Sequence, residues 1–193
     1  MDGQHMVTTP NYSDNNVGWE KGQAYQSWVR QMYPCVYNGG QKRRELTYLE
    51  GKQEQLQGET LEGVEVKFDD KMRDTKRIYI EMYEKSRGEN EKYVESGIYR
   101  NDNTKFILIG DYYCWFLFSK ARLVWLDRND PPFLYRPKPT DTSIGFCIPI
   151  ENAQKLCLDY REFNGDTFQP PKSIEEYSED ESWLDGIRIA KNQ

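Results

Sequence analysis

Residues 63–85, GVEVKFDDKMRDTKRIYIEMYEK, constrain the fold of this chain more than any other stretch. Side chains alternate between the two faces of a β-strand. Val64, Val66 and Phe68 therefore share one face, and Glu65, Lys67 and Asp69 the other. Further on, Ile78, Ile80 and Met82 are apolar, opposed by Tyr79, Glu81, Tyr83 and Lys85. The expected structure is a pair of short strands joined by a charged loop. An antiparallel hairpin with both apolar faces on one side sets Lys67 near Glu81 and Asp69 near Tyr79. Carboxylates and a lysine would then meet on one surface. Such a surface offers hard oxygen donors for a divalent cation, and a side-chain cation that orients water or offsets phosphate charge.

The chain has 193 residues, enough for one domain with a sizeable core. Its aromatic content of 14% argues against disorder over most of the length. No apolar run approaches the ~20 residues of a membrane span, and no secretory signal is visible. A soluble, cytoplasmic protein without a membrane partner is expected. The opening MDGQH has the look of a tag remnant, with Met6 as the expected native start. The sole histidine is His5, so serine–histidine and cysteine–histidine catalysis and histidine-bound zinc are disfavoured. Cys35, Cys114, Cys147 and Cys157 form no CxxC pair. Buried reduced thiols are expected, since a free cysteine behaves as a small hydrophobe. The net charge of −6 counts against a protein that coats DNA nonspecifically. It does not count against an enzyme that acts on DNA, because basic residues gather locally: at 41–44, at Lys71, Arg73, Lys76 and Arg77, and at Lys120 and Arg122.

Along the chain, residues 1–14 read as a flexible leader, 15–164 as the domain and 165–193 as a peripheral acidic tail. A helix is expected over 16–33, with Tyr25, Trp28, Val29 and Met32 on its buried face, ended by Pro34. Residues 37–40 read as a turn. Leu46, Leu49 and Leu56 have roughly helical spacing, weakened by Gly51. Residues 106–109 and 115–118 are continuous apolar runs, as strands covered on both faces would be. Residues 123–126 fit strand or helix. A proline-rich connection follows, then an edge strand over 146–150 and a helix over 151–161 with Ala153, Leu156, Cys157 and Tyr160 as its stripe. The order of elements predicts an α/β fold with a mixed central β-sheet flanked by helices.

GVEVKFD, with an acidic residue shortly before it, resembles the core of the PD-(D/E)XK nuclease superfamily. The longer string of ExK-x-D, then TKRIYIE, then SGI, is similar to small phage and plasmid nuclease-like proteins of that superfamily. Thr75-Lys-Arg77 stands where those carry TGN, which is a departure. The resemblance spans residues 57 to about 120. It implies a restriction-endonuclease-like core and a DNA endonuclease dependent on Mg2+ or Mn2+. It further implies a phage or mobile-element setting and the host cytoplasm. Glu65 and Lys67 match the ExK pair. The carboxylates bind the metal, and the lysine activates water or stabilises the transition state. Glu59 is the first choice for the upstream acid, with Glu50 and Glu45 as alternatives. A similarly short gap occurs in the mismatch-repair nicking endonucleases of the superfamily, whose GIELK resembles GVEVK. Asp69 and Glu81 would be metal ligands or support them, and Glu20 on the first helix could add an acid. Lys71, Arg73, Lys76 and Arg77 would contact DNA. A duplex cutter would commonly be a homodimer, one subunit for each strand. The competing expectation is a non-catalytic, phage-encoded protein that binds or inhibits a host protein, which the acidic tail would suit.

Overall fold

The computed structural model describes residues 18–33, 63–85 and 90–163. Its elements run α1 (Gly18–Met32), β1 (Val64–Phe68), α2 (Met72–Thr75), β2 (Arg77–Glu84), β3 (Val94–Glu95), a 3-10 turn (Gly97–Tyr99), β4 (Phe106–Gly110) and β5 (Cys114–Ser119). They continue with α3 (Lys120–Asn129), β6 (Ser143–Pro149), α4 (Ile150–Leu156) and β7 (Asp159–Glu162). The fold is mixed α/β, and its strands form two sheets. The first has the order β1-β4-β5-β7 and is mixed, with β1 parallel to β4 and the other neighbours antiparallel. The second has the order β3-β2-β6 and is antiparallel.

The expected hairpin of β1 with β2 is therefore corrected. β1 pairs with β4, Glu65 opposite Ile107 and Lys67 opposite Ile109. Between β1 and β2 the chain makes the short helix α2, whose Met72 is fully buried. It then turns at Lys76, a non-glycine residue in the left-handed region (φ 55°), to start the second sheet. Alternation specifies which side chains share a face. It does not specify which strand lies alongside.

The expected faces hold. Val64 and Val66, with Leu108, Trp115 and Leu117, pack beneath Tyr25, Val29 and Tyr33 of α1. Tyr25 and Val29 are fully buried, while Trp28 and Met32 are partly covered. On the opposite face of the first sheet, Ile107, Ile109, Phe116 and Phe118 join Ile78, Ile80, Phe146 and Ile148 of the second in one apolar core. β4 and β5 are interior strands covered on both faces, so their sequences read as unbroken apolar runs. The stretch 123–126 lies within helix α3, whose N-cap Ser119 accepts a hydrogen bond from the Arg122 amide.

One boundary is corrected. The helix expected over 151–161 ends at Leu156, where the buried Arg122 guanidinium donates to the Leu156 carbonyl at 2.6 Å. Residues 159–162 form strand β7 instead, and Tyr160 packs on Phe116 with ring centroids 4.9 Å apart. Cys114, Cys147 and Cys157 are free thiols, partly rather than fully buried. Burial pushes the Cys114 and Cys157 thiols up to about 12, which leaves little reactive thiolate. Among the described residues no helix is long and apolar enough to cross a membrane. The expectations for residues 1–14, 37–57 and 165–193, and for Cys35, lie outside the described residues.

Gly97, the glycine of the SGI string, has φ +47° and sits against the second sheet. A Cβ there would fall 2.1 Å from the Glu81 carbonyl oxygen. Both backbone strain and a clash with main chain oppose any side chain. Gly97→Ala is expected to cost at least ~2 kcal/mol. The check is a lower denaturant midpoint at unchanged slope.

Candidate active site

The two sheets diverge around a cavity of about 360 Å3, lined by Glu65, Lys67, Asp69, Tyr79, Glu81 and Ile98 among others. Glu65 and Lys67 reach it because β1 presents its polar face there, while its apolar face packs on α1. Glu65 is 2% exposed. The Lys67 ammonium lies 2.8 Å from Glu65 Oε1, and Arg100 Nη1 lies 3.7 Å from the same oxygen. Glu65 Oε2 has no hydrogen-bond partner among the described residues. A buried carboxylate is costly unless it is paired and hydrogen-bonded. Here both cations approach Oε1, while the hydrogen-bonding capacity of Oε2 is unused among the described residues.

Glu81 is held differently. Ser96 Oγ donates to its Oε1 at 2.8 Å, and Ser143 Oγ donates to its Oε2 at 3.1 Å. Ser143 Oγ in turn lies 2.7 Å from the Tyr79 hydroxyl. Burial, opposed by this hydrogen bond, raises the Tyr79 phenol above its ordinary value. Arg100 Nη2 donates to Ser96 Oγ at 2.9 Å and to Glu84 at 3.3 Å. One guanidinium thus spans from Glu65 on the first sheet to the Glu81 cluster on the second.

Asp69 closes the joint between the sheets. Its Oδ1 accepts from the Lys71 amide at 3.1 Å, and its Oδ2 accepts from the Tyr79 amide at 3.0 Å. The expected closeness of Asp69 and Tyr79 is therefore present, made by this bond rather than by strand pairing. Burial raises the Asp69 carboxyl above its ordinary value, against the lowering effect of the two amides.

Glu65, Asp69 and Glu81 line one cavity, but Asp69 is engaged by main-chain amides and Glu81 by serine hydroxyls. Among the described residues no three His, Cys, Asp or Glu side chains are grouped closely enough to hold a metal ion. Glu59, Glu50 and Glu45 lie outside the described residues, as does the side chain of Glu20 on α1. Of the basic residues expected on DNA, Lys71 lines the cavity. Arg73 pairs with Asp111 at 2.9 Å and stacks on the half-exposed Tyr113 at 3.8 Å. Arg77 stacks on Tyr135 at 4.3 Å. Lys76 is exposed at its turn.

Sequence reasoning missed Arg100, Ser96 and Ser143. The SGI string includes Ser96, but nothing in strand periodicity marks Arg100 in the segment behind it or Ser143 on a distant strand. No family model, curated protein or solved structure matches this chain.

Ser96 is fully buried and serves both Glu81 and Arg100. Ser96→Ala is expected to cost about 1–3 kcal/mol, because both partners lose a buried hydrogen bond; thermal or denaturant melts provide the measurement. Asp69 supplies a prediction in pH. With its carboxyl raised above 3.8, the folded chain keeps a proton that the unfolded chain has released. Its contribution to stability therefore declines as pH rises from 3.8 through the raised value. Asp69→Asn should flatten the stability-against-pH curve in that window, and an unchanged curve would contradict this assignment.

Proposed function

We propose that this protein is a metal-dependent DNA endonuclease that hydrolyses phosphodiester bonds, with Glu65 and Lys67 at the reacting centre. The observation that carries this reading is Glu65 itself. It is a buried carboxylate at the wall of a cavity, with Oε1 paired to Lys67 and Oε2 without a hydrogen-bond partner among the described residues. Carboxylate oxygens in that state suit a hard divalent cation. Magnesium commonly takes only one or two protein carboxylates, completed by water and substrate phosphate oxygens. Glu65 would hold Mg2+ or Mn2+, with Asp69, just past the end of β1 on the same cavity wall, as a candidate for a second oxygen. When bound, the ion would screen phosphate charge and make water a better nucleophile.

The chain's own groups have distinct tasks in this reading. Lys67, held 2.8 Å from Glu65, can donate to a phosphate oxygen or to the attacking water. Arg100, fixed by Ser96 and Glu84, keeps positive charge behind Glu65. The side chains of Ile98, Ile107 and Ile109 give the cavity a dry floor, which strengthens the electrostatic interactions inside it. Lys71 at the cavity wall would meet the DNA backbone.

The test is cleavage of plasmid, single-stranded and branched DNA with Mn2+, Mg2+ or EDTA. Wild type should cut only with metal. Lys67→Ala and Glu65→Gln should each lose on the order of 10²–10³-fold in rate. Binding is read separately: Mn2+ should raise the melting temperature of wild type but not of Glu65→Gln. A wild type that neither cuts nor responds to metal would discard the nuclease and leave the expectation of a protein that binds a host partner.

A further inference from the structure

A second cavity, of about 680 Å3, lies behind the buried Ile98, which lines both. Thr104, Lys105, Lys120, Val124, Trp125 and Arg128 line it. Among the described residues its lining contains no carboxylate. From α3, Lys120, Val124, Trp125 and Arg128 fall on one helix face, at spacings of four, one and three, and Ala121 lines the cavity beside them.

Each chemical group here has a readable state. Lys120 is engaged: its ammonium donates to the Arg100 carbonyl at 2.6 Å and to Asp102 at 3.0 Å. Arg100 thus links a wall residue of each cavity: its carbonyl holds Lys120, and its guanidinium lies 3.7 Å from Glu65. Lys105 and Arg128 are exposed, and Lys105 makes no ion pair among the described residues. Thr104 is 6% exposed, yet its hydroxyl has no hydrogen-bond partner among the described residues. A buried hydroxyl without a partner carries an uncompensated desolvation cost, which a ligand oxygen would remove. Trp125 is half-buried along the same wall.

Two exposed cations, an unpartnered hydroxyl and an indole in a lining without carboxylates form a combination that fits one phosphate and one base. An indole face stacks only on a base that has left the duplex stack. We propose that this second cavity seats an unpaired nucleotide next to the bond cut at Glu65, so that the substrate is single-stranded DNA or a single-stranded end. This proposal rests on the nuclease reading for the position of the cut, but the binding site stands on its own residues.

The experiment uses the full chain and three probes: a labelled single-stranded oligonucleotide, the matching duplex, and bis(4-nitrophenyl) phosphate, a small diester too short to reach the second cavity. Binding is followed by anisotropy in EDTA, and hydrolysis with Mn2+. Wild type should bind the single strand more tightly than the duplex. The double variant Lys105→Glu/Arg128→Glu changes exposed positions only. It should bind the single strand at least about tenfold more weakly, with the salt slope reduced by about 0.7 for the one phosphate no longer neutralised. Its hydrolysis of the small diester should be unchanged. Trp125→Phe should lessen the quenching of protein fluorescence on binding. If wild type favours duplex, or if the double variant binds the single strand as wild type does, the cavity assignment is overturned, whatever happens to the small diester. If instead the variant loses binding while wild type hydrolyses nothing, the strand site is upheld and the nuclease reading fails.

Discussion

A carboxylate taken out of water between two sheets is the constraint on which the rest of this structure depends. Glu65 is almost inaccessible, so the fold must supply positive charge within a few ångströms, and it does so from two directions. Lys67 comes from the same strand, two residues on, where the pleat returns it to the same face. Arg100 comes from the segment after the 3-10 turn, and to reach Glu65 it must be anchored on Ser96 and Glu84 of the second sheet. The polar seam between the sheets, running from Lys67 through Glu65, Arg100, Ser96, Glu81 and Ser143 to Tyr79, is thus one connected unit. In such a seam the cost of breaking one member falls on its neighbours, because the low local dielectric raises the penalty for each orphaned group.

The apolar core sets the frame for that seam. α1 covers one face of the first sheet, and the second sheet with α3 and α4 covers the other. β4 and β5 have no solvent face, whereas β1, at the end of the described sheet, uses its inner face for Glu65 and Lys67 in place of more hydrophobic residues. The cavity exists where the core gives way to charge.

Legibility in the sequence followed the range of the interactions. Local periodicity was enough to identify α1 with Tyr25 and Val29 on its buried face, the strand carrying Glu65 and Lys67, and the apolar runs of β4 and β5. Glu65, Lys67, Asp69 and Glu81 do line one cavity, but across two sheets and not through the hairpin that the alternation suggested. Pairing was not legible. The partner of β1 lies some forty residues away in register, Glu65 against Ile107, and no alternation pattern encodes that choice over a nearby antiparallel neighbour. The end of α4 was missed for a related reason, since Asp159 and Tyr160 continue a helical stripe as readily as they begin a strand. The groups that finish the site, Arg100 and Ser143, act through contacts between elements far apart in the chain, so their types and local spacing carried no mark of the role.

The outer edge of the second sheet has a consequence for assembly. β6 ends the order β3-β2-β6, and an open strand there would offer its amides and carbonyls to another chain. The proline-bearing connection folds back on it instead. Tyr135 and Cys147 exchange both main-chain hydrogen bonds, at 3.0 and 2.7 Å, and Arg77 is stacked on the Tyr135 ring beside them. The same short bridge that holds a surface loop in place thus acts as a stopper, closing the middle of that margin to strand-by-strand growth. At the opposite margin β3 is two residues long, too short to template a neighbour.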